Sequence, residues 1–292
     1  MSSHPDFLVI GAMKAGTTTL YHDLRRHPHL FLPEKEIGAL GSDDVLTATG
    51  ARRYGDVFAG RRPGQLAGDV STTYAMAPTI EGCARRAHKL SGGDLRIIYL
   101  VRDPIERILS HHHHERQQGT VTVGIDQAVR TDERFIAYSQ YARQLRPWIE
   151  VFGLERISIV ALEDYCQARE ATIAELCASL GVEADAAKVD GQIHNASAGK
   201  ATVTGMWRAV RDNGVYRRFV RPLLSPEQRT RFRHVVLPPS TLGRDRLDRS
   251  TLGFLSEALA DDLDAQRAMP PPLGRWALDR LTAPPTSAER VP

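Results

Sequence analysis

Lys14 stands inside a loop bounded by glycines, Gly11-Ala-Met-Lys-Ala-Gly16, and three threonines, Thr17, Thr18 and Thr19, follow at once. Glycines let successive backbone N–H groups turn toward one point, and a helix opening there adds the positive end of its dipole. A lysine within such a loop and hydroxyls at its exit would give a phosphate-type anion one cation and several donors. The spacing Gly11-x4-Gly16 is that of a Walker loop. Thr17, however, takes the place of the Walker lysine, and the lysine has moved back into the loop. The plainer alternative is a glycine-rich turn before a threonine-capped helix.

A second constellation lies in Tyr99-Leu-Val-Arg-Asp-Pro-Ile-Glu-Arg-Ile-Leu-Ser110. The apolar run ends in Arg102, whose guanidinium can grip a phosphate as a fork. Ser110 would add a hydroxyl from the following helix. Here the plainer alternatives are a surface arginine and a serine that bonds its own helix backbone. The run His111-His112-His113-His114 follows directly. Successive helical side chains point about 100° apart, so only His111 and His114 share a face. Without a nearby carboxylate pattern they make a poor metal site. Packed or solvated histidines are the default, and one of them lining an acceptor pocket is the sharper reading.

The elements that must position these residues alternate between short apolar runs and amphipathic helices. Phe7 to Ile10, Leu95 to Val101 and Arg156 to Leu162 are expected strands. Thr17 to Arg26 is an expected helix, with Leu20 and Leu24 four apart. Asp103-Pro104 supplies an N-cap and a first-turn proline for a helix carrying Ile105, Ile108 and Leu109. Tyr141, Leu145, Trp148 and Phe152 fall on one helical face closed by Gly153. Ile173, Leu176, Cys177 and Leu180 repeat the pattern before Gly181, as do Leu252, Leu255, Leu259 and Leu263, and Ser225-Pro226-Glu227 opens another helix. Continuous apolar strands alternating with such helices predict an α/β fold: a central, mainly parallel sheet in three P-loop-like layers. A single domain over 1–280 is expected, with a flexible proline-rich tail over 281–292.

Composition narrows the class. The chain has 292 residues, 42% hydrophobic and 25% charged, which excludes a disordered, collagenous or purely coiled-coil protein. A net charge of +3 does not argue for a nucleic-acid polymer as partner. Cys83, Cys166 and Cys177 are far apart and form no CxxC pair, so buried free thiols in a reducing compartment are expected. The first apolar run is too short for a signal h-region and no later run would span a membrane, so a soluble, cytoplasmic protein is expected. Residues 200–233 hold nine Lys/Arg against two acids, a local excess larger than the net charge of the chain. That run is either a solvated helical face or a basic flap over an anion, with residues 194–200 as its hinge.

GAMKAGTTTL resembles the 5′-phosphosulfate-binding loop of PAPS-dependent sulfotransferases, in particular their bacterial and carbohydrate (heparan-sulfate-type) branch. PAPS is 3′-phosphoadenosine 5′-phosphosulfate. The Arg102 to Ser110 segment is similar to that family's 3′-phosphate motif. Pro33-Glu-Lys-Glu-Ile37 resembles its Lys-Glu segment, and Gly68-Asp-Val-Ser-Thr-Thr-Tyr74 its Gly-Glu-Lys-Ser-Pro-x-Tyr strand. The resemblance implies in-line sulfuryl transfer to a hydroxyl of a small-molecule or carbohydrate acceptor, with no metal required. Lys14 would stabilise the leaving phosphate and Glu36 would serve as general base, a role that calls for burial of its carboxyl. Lys14, Ala15, Gly16, Thr17, Thr18, Thr19, Arg102 and Ser110 would bind PAPS or its product PAP, as would Gly199 and Lys200 from a closing segment. Val70 stands where relatives often carry a second lysine; Lys35 or a C-terminal arginine could replace it, and Asp69 is the second candidate base. Two other readings stay open: a P-loop kinase or NTPase, and a non-catalytic nucleotide-binding protein.

Overall fold

The computed structural model describes residues 4–183 and 246–269. Within them five strands form one sheet: β1 (Phe7–Gly11), β2 (Leu30–Phe31), β3 (Leu66–Val70), β4 (Arg96–Val101) and β5 (Ile157–Ala161). Their order is β2-β3-β1-β4-β5, and every neighbouring pair is parallel. Phe7, Leu8, Val9 and Ile10 are all fully buried, as a central parallel strand covered on both faces requires. Phe7 pairs with Gly68, where an added Cβ would lie 2.2 Å from the Phe7 ring, so the pairing needs glycine.

The sheet is built outward in both directions from β1. Strands β2 and β3 lie to one side and β4 and β5 to the other, so the strand order reverses there. Open α/β sheets bind ligands in the crevice that such a reversal leaves at the carboxyl ends of the strands.

The helices are α1 (Thr17–Arg25), α2 (Ala48–Asp56), α3 (Cys83–Ser91), α4 (Pro104–Gln118), α5 (Ile125–Thr131), α6 (Arg134–Ala137), α7 (Tyr141–Phe152), α8 (Leu162–Gln167), α9 (Arg169–Leu180) and α10 (Arg249–Arg267). The expected apolar face of α7 is buried, and the helix continues through Pro147. Asp103 caps α4 through its side chain, which accepts the Glu106 N–H at 2.9 Å, and Pro104 holds the first turn. Buried Asp23 fastens α1 to the far end of the sheet. It takes two hydrogen bonds from Arg169, each 2.7 Å, and one from the Tyr165 hydroxyl.

A second apolar cluster joins Ile108, Ile125, Val129 and Phe135 to Leu255, Leu259 and Leu263 of α10. Each such leucine contributes about 1.5–3 kcal/mol relative to exposure. Asp262 of α10 also caps α7, accepting the N–H of Ala142 at 3.1 Å and of Arg143 at 2.8 Å.

Cys83 and Cys177 are buried as expected, but Cys166 is exposed, because α8 turns it outward beside the buried Tyr165. No helix among the described residues is long and apolar enough to cross a membrane. Ser225-Pro226-Glu227, the basic run 200–233, Gly199, Lys200 and the tail 281–292 lie outside the described residues.

Candidate active site

The loop from Gly11 to Gly16 leaves the carboxyl end of β1 and runs straight into α1. It is closed by its own backbone: the Ala15 N–H donates to the Ala12 carbonyl at 3.1 Å, and the Ala12 N–H donates to Leu100 of β4. Lys14 and Gly16 both adopt left-handed backbone, with φ 70° and 87°. Gly16 caps α1, so the positive end of the helix opens at the loop. Thr17 and Thr19 are buried and Thr18 is half-buried. The three expected hydroxyls therefore do not form one exposed cluster, since helical geometry points successive side chains apart.

Arg102 follows directly on the end of β4, the strand next to β1. Its guanidinium Nη1 lies 3.5 Å from the Lys14 carbonyl oxygen, and Nη2 donates to Glu106 Oε2 at 2.9 Å. The two motifs, 88 residues apart in sequence, therefore meet at one end of the sheet. Ser110 is buried on α4.

On the other side of β1, Glu36 is bound to the end of β3. Its N–H donates to the Val70 carbonyl at 2.8 Å, and its backbone is left-handed, with φ 64°. One carboxylate oxygen accepts the Thr72 N–H at 2.9 Å, the Thr72 hydroxyl lies 3.1 and 3.2 Å from the two oxygens, and Lys35 forms an ion pair with the same group. The expected burial of Glu36 is not found: its side chain is 40% exposed, because the loop carries it on the outside of the strand end.

Asp69 is fully buried. It accepts hydrogen bonds from the hydroxyls of Tyr54 (2.8 Å), Tyr74 (2.6 Å) and Ser71 (2.6 Å). Burial pushes its carboxyl pKa up. Ser71 in turn accepts the Gly38 N–H at 3.1 Å. Through Ser71, Asp69 is linked to the loop that carries Glu36.

The histidine run is packed into the interior. His111 is 1% exposed, stacks on Tyr138 with centroids 5.7 Å apart, and has Nδ1 3.5 Å from Arg107. Burial drives its pKa down to about 2, helped by the charges of Arg107, Arg134, His114 and Lys14. His112 bonds the Val123 carbonyl and His113 meets Gln117, both at 2.9 Å.

Some contacts at the site carried no signal in the motifs. Glu106, Thr72, Tyr141, Leu162 and Glu163 hold or touch the expected residues through contacts that cross elements. Of these, only Glu106 has a spacing that could have revealed it, four residues from Arg102.

Residues 87–205 match the family described as Sulfotransferase domain, a stretch that includes Arg102 and α4 and begins after the glycine loop and Glu36. The chain is 30% identical over 110 residues to the membrane-associated sulfotransferase kil1 of Dictyostelium discoideum, covering 37% of this chain and 22% of that protein. It is 26% identical over 168 residues to heparan sulfate glucosamine 3-O-sulfotransferase 5 of Mus musculus, covering 53% and 47%. The chain thus spans less than half the length of these curated relatives. A sulfotransferase structure from Alicyclobacillus acidocaldarius aligns over 91% of this chain and 95% of its own, at 19% identity and a TM-score of 0.63, which establishes a shared fold. The glycine loop and the arginine that meet at one end of the sheet stand in a chain that shares the fold of a solved sulfotransferase and is similar over part of its length to the Sulfotransferase domain and to two sulfotransferases.

Proposed function

We propose that the chain moves the sulfuryl group of PAPS onto a hydroxyl of a carbohydrate or other small molecule. The observation that carries this reading is the 3.5 Å approach of Arg102 to the Lys14 carbonyl. It puts a phosphate fork and a glycine loop with a lysine in one crevice, matching a nucleotide that is anionic at both its 5′ and 3′ positions.

PAPS supplies the sulfuryl group, and the chain's own residues orient it and manage charge and proton. The acceptor oxygen bonds to sulfur as the bond from sulfur to the 5′-phosphate oxygen breaks. Lys14 and the α1 N-terminus neutralise the charge left on that phosphate. The hydroxyl proton passes to the Glu36 carboxylate, which Thr72 orients from just beyond the end of β3. Lys35, already paired with Glu36, whose backbone N–H bonds the Val70 carbonyl, takes the part of the lysine absent at Val70. Arg102 holds the 3′-phosphate. The relative named for heparan sulfate glucosamine supports a carbohydrate acceptor.

The test is incubation with PAPS and a panel of hydroxyl acceptors, read by mass spectrometry for products heavier by one SO₃ group. Lys14→Met should lower turnover by about 100-fold or more. Glu36→Gln should lower it by about 100–10,000-fold while leaving PAP affinity unchanged. Binding of Mg·ATP but not PAP would overturn this reading in favour of a kinase.

A further inference from the structure

Arg102 follows the last residue of β4 and Pro104 begins α4, so the peptide unit joining Arg102 to Asp103 belongs to neither ladder nor helix. Its two polar groups need partners from elsewhere. Both find them in side chains. The Tyr141 hydroxyl donates to the Arg102 carbonyl at 2.8 Å. The Asp103 N–H donates to Glu163 Oε1 at 3.1 Å. Tyr141 opens α7 and is fully buried, with its ring edge-on to Tyr99 at 5.9 Å between centroids. Glu163 lies in the first turn of α8, just after β5. One peptide plane is therefore held at both ends by side chains from two other elements.

We propose that Tyr141 and Glu163 are positioning residues for the 3′-phosphate site. By fixing the plane of this peptide they fix the direction in which the Arg102 side chain leaves the backbone. Each acts through the Arg102–Asp103 peptide. A fork-to-phosphate contact depends on angle as well as distance, and a displacement of about 1 Å is enough to degrade it. Glu106 steadies the guanidinium at its far end, so the arginine is held at both its root and its tip. This inference rests on the PAPS reading above.

The experiment compares ligands that differ by the 3′-phosphate alone. Calorimetry gives the affinity of wild type, Tyr141→Phe, Glu163→Ala and Glu163→Gln for PAP and for 5′-AMP. Tyr141→Phe and Glu163→Ala should each weaken PAP about tenfold and leave AMP within about twofold. Glu163→Gln loses the same charge as the alanine variant but keeps an acceptor oxygen, so it should restore PAP affinity. Thermal melts accompany each variant; if Tyr141→Phe fails to fold, the alanine and glutamine pair decides alone. Equal losses for both ligands, or no difference between Glu163→Ala and Glu163→Gln, would overturn the positioning role while PAP binding by wild type stands. A wild-type protein that binds PAP no better than AMP would overturn the donor assignment, and this inference with it.

Discussion

Replacing Gly16 by alanine tests whether the loop geometry is imposed by the packing around it. The residue sits at φ 87°, where a side chain costs about 1–2 kcal/mol. An added Cβ would also lie 2.5 Å from Leu162 Cδ1 of α8. Relieving that overlap means moving either the leucine or the loop, at a typical overpacking cost of about 1–3 kcal/mol. The two together predict a loss of roughly 2–5 kcal/mol from Gly16→Ala. Urea denaturation of the ligand-free protein measures it. A double-mutant cycle with Leu162→Ala separates the terms: with the leucine trimmed, Gly16→Ala should cost only the backbone part, about 1–2 kcal/mol, and the coupling should be about 1–3 kcal/mol. An alanine that costs the same in both backgrounds, or under about 0.5 kcal/mol in either, would refute the claim that α8 presses the loop into shape.

Two more perturbations follow from buried polar groups. His111 is neutral in the fold and ionises near pH 6.5 once unfolded, so its contribution is complete above that pH and is lost as the pH falls toward its folded value of about 2. Between pH 7 and 5.5 the stability gap between wild type and His111→Gln should shrink by about 1 kcal/mol in urea titrations. Buried Asp69, Asp103 and Asp262 have raised values and act in the opposite sense, but they are common to both proteins. Asp262→Ala removes the cap of α7 and should cost about 1–2 kcal/mol by chemical denaturation, with Asp262→Asn recovering part of it by keeping an acceptor.

The strands that frame the crevice were legible because each is a run of apolar residues with one meaning. Phe7 to Ile10 and Ile97 to Val101 are fully buried, and short β-branched or aromatic runs of this kind are what a parallel strand covered on both faces uses. The helix over Tyr141–Phe152 was equally plain, since its apolar spacing outweighed Pro147. Strand β2 has two residues and β3 carries Gly68 and Asp69, so neither presents a strand pattern of its own. Helices α2 and α3 are nine residues each, and the positions they bury are mostly small ones, Gly50 in α2 and Cys83, Ala84 and Ala87 in α3, whose apolar signal is weak.

At the site, residue types named the anion-binding groups but not their surroundings. The Glu36 carboxylate beside Thr72, the Tyr54 hydroxyl on Asp69 and the Glu163 carboxylate on the Arg102–Asp103 peptide are meetings between residues 36, 15 and 60 positions apart. Pairings of that kind follow from strand order, which local pattern does not encode. The same holds for the histidines, whose burial depends on Phe135 and Tyr138 arriving from α6 and just beyond.

The cap that Asp262 places on α7 joins residues 119 positions apart. A chain emerging from the ribosome completes all five strands by residue 161, well before the helix that begins at Arg249 has been made. The side-chain cap on the first turn of α7 therefore cannot form until the helix that begins at Arg249 has been made.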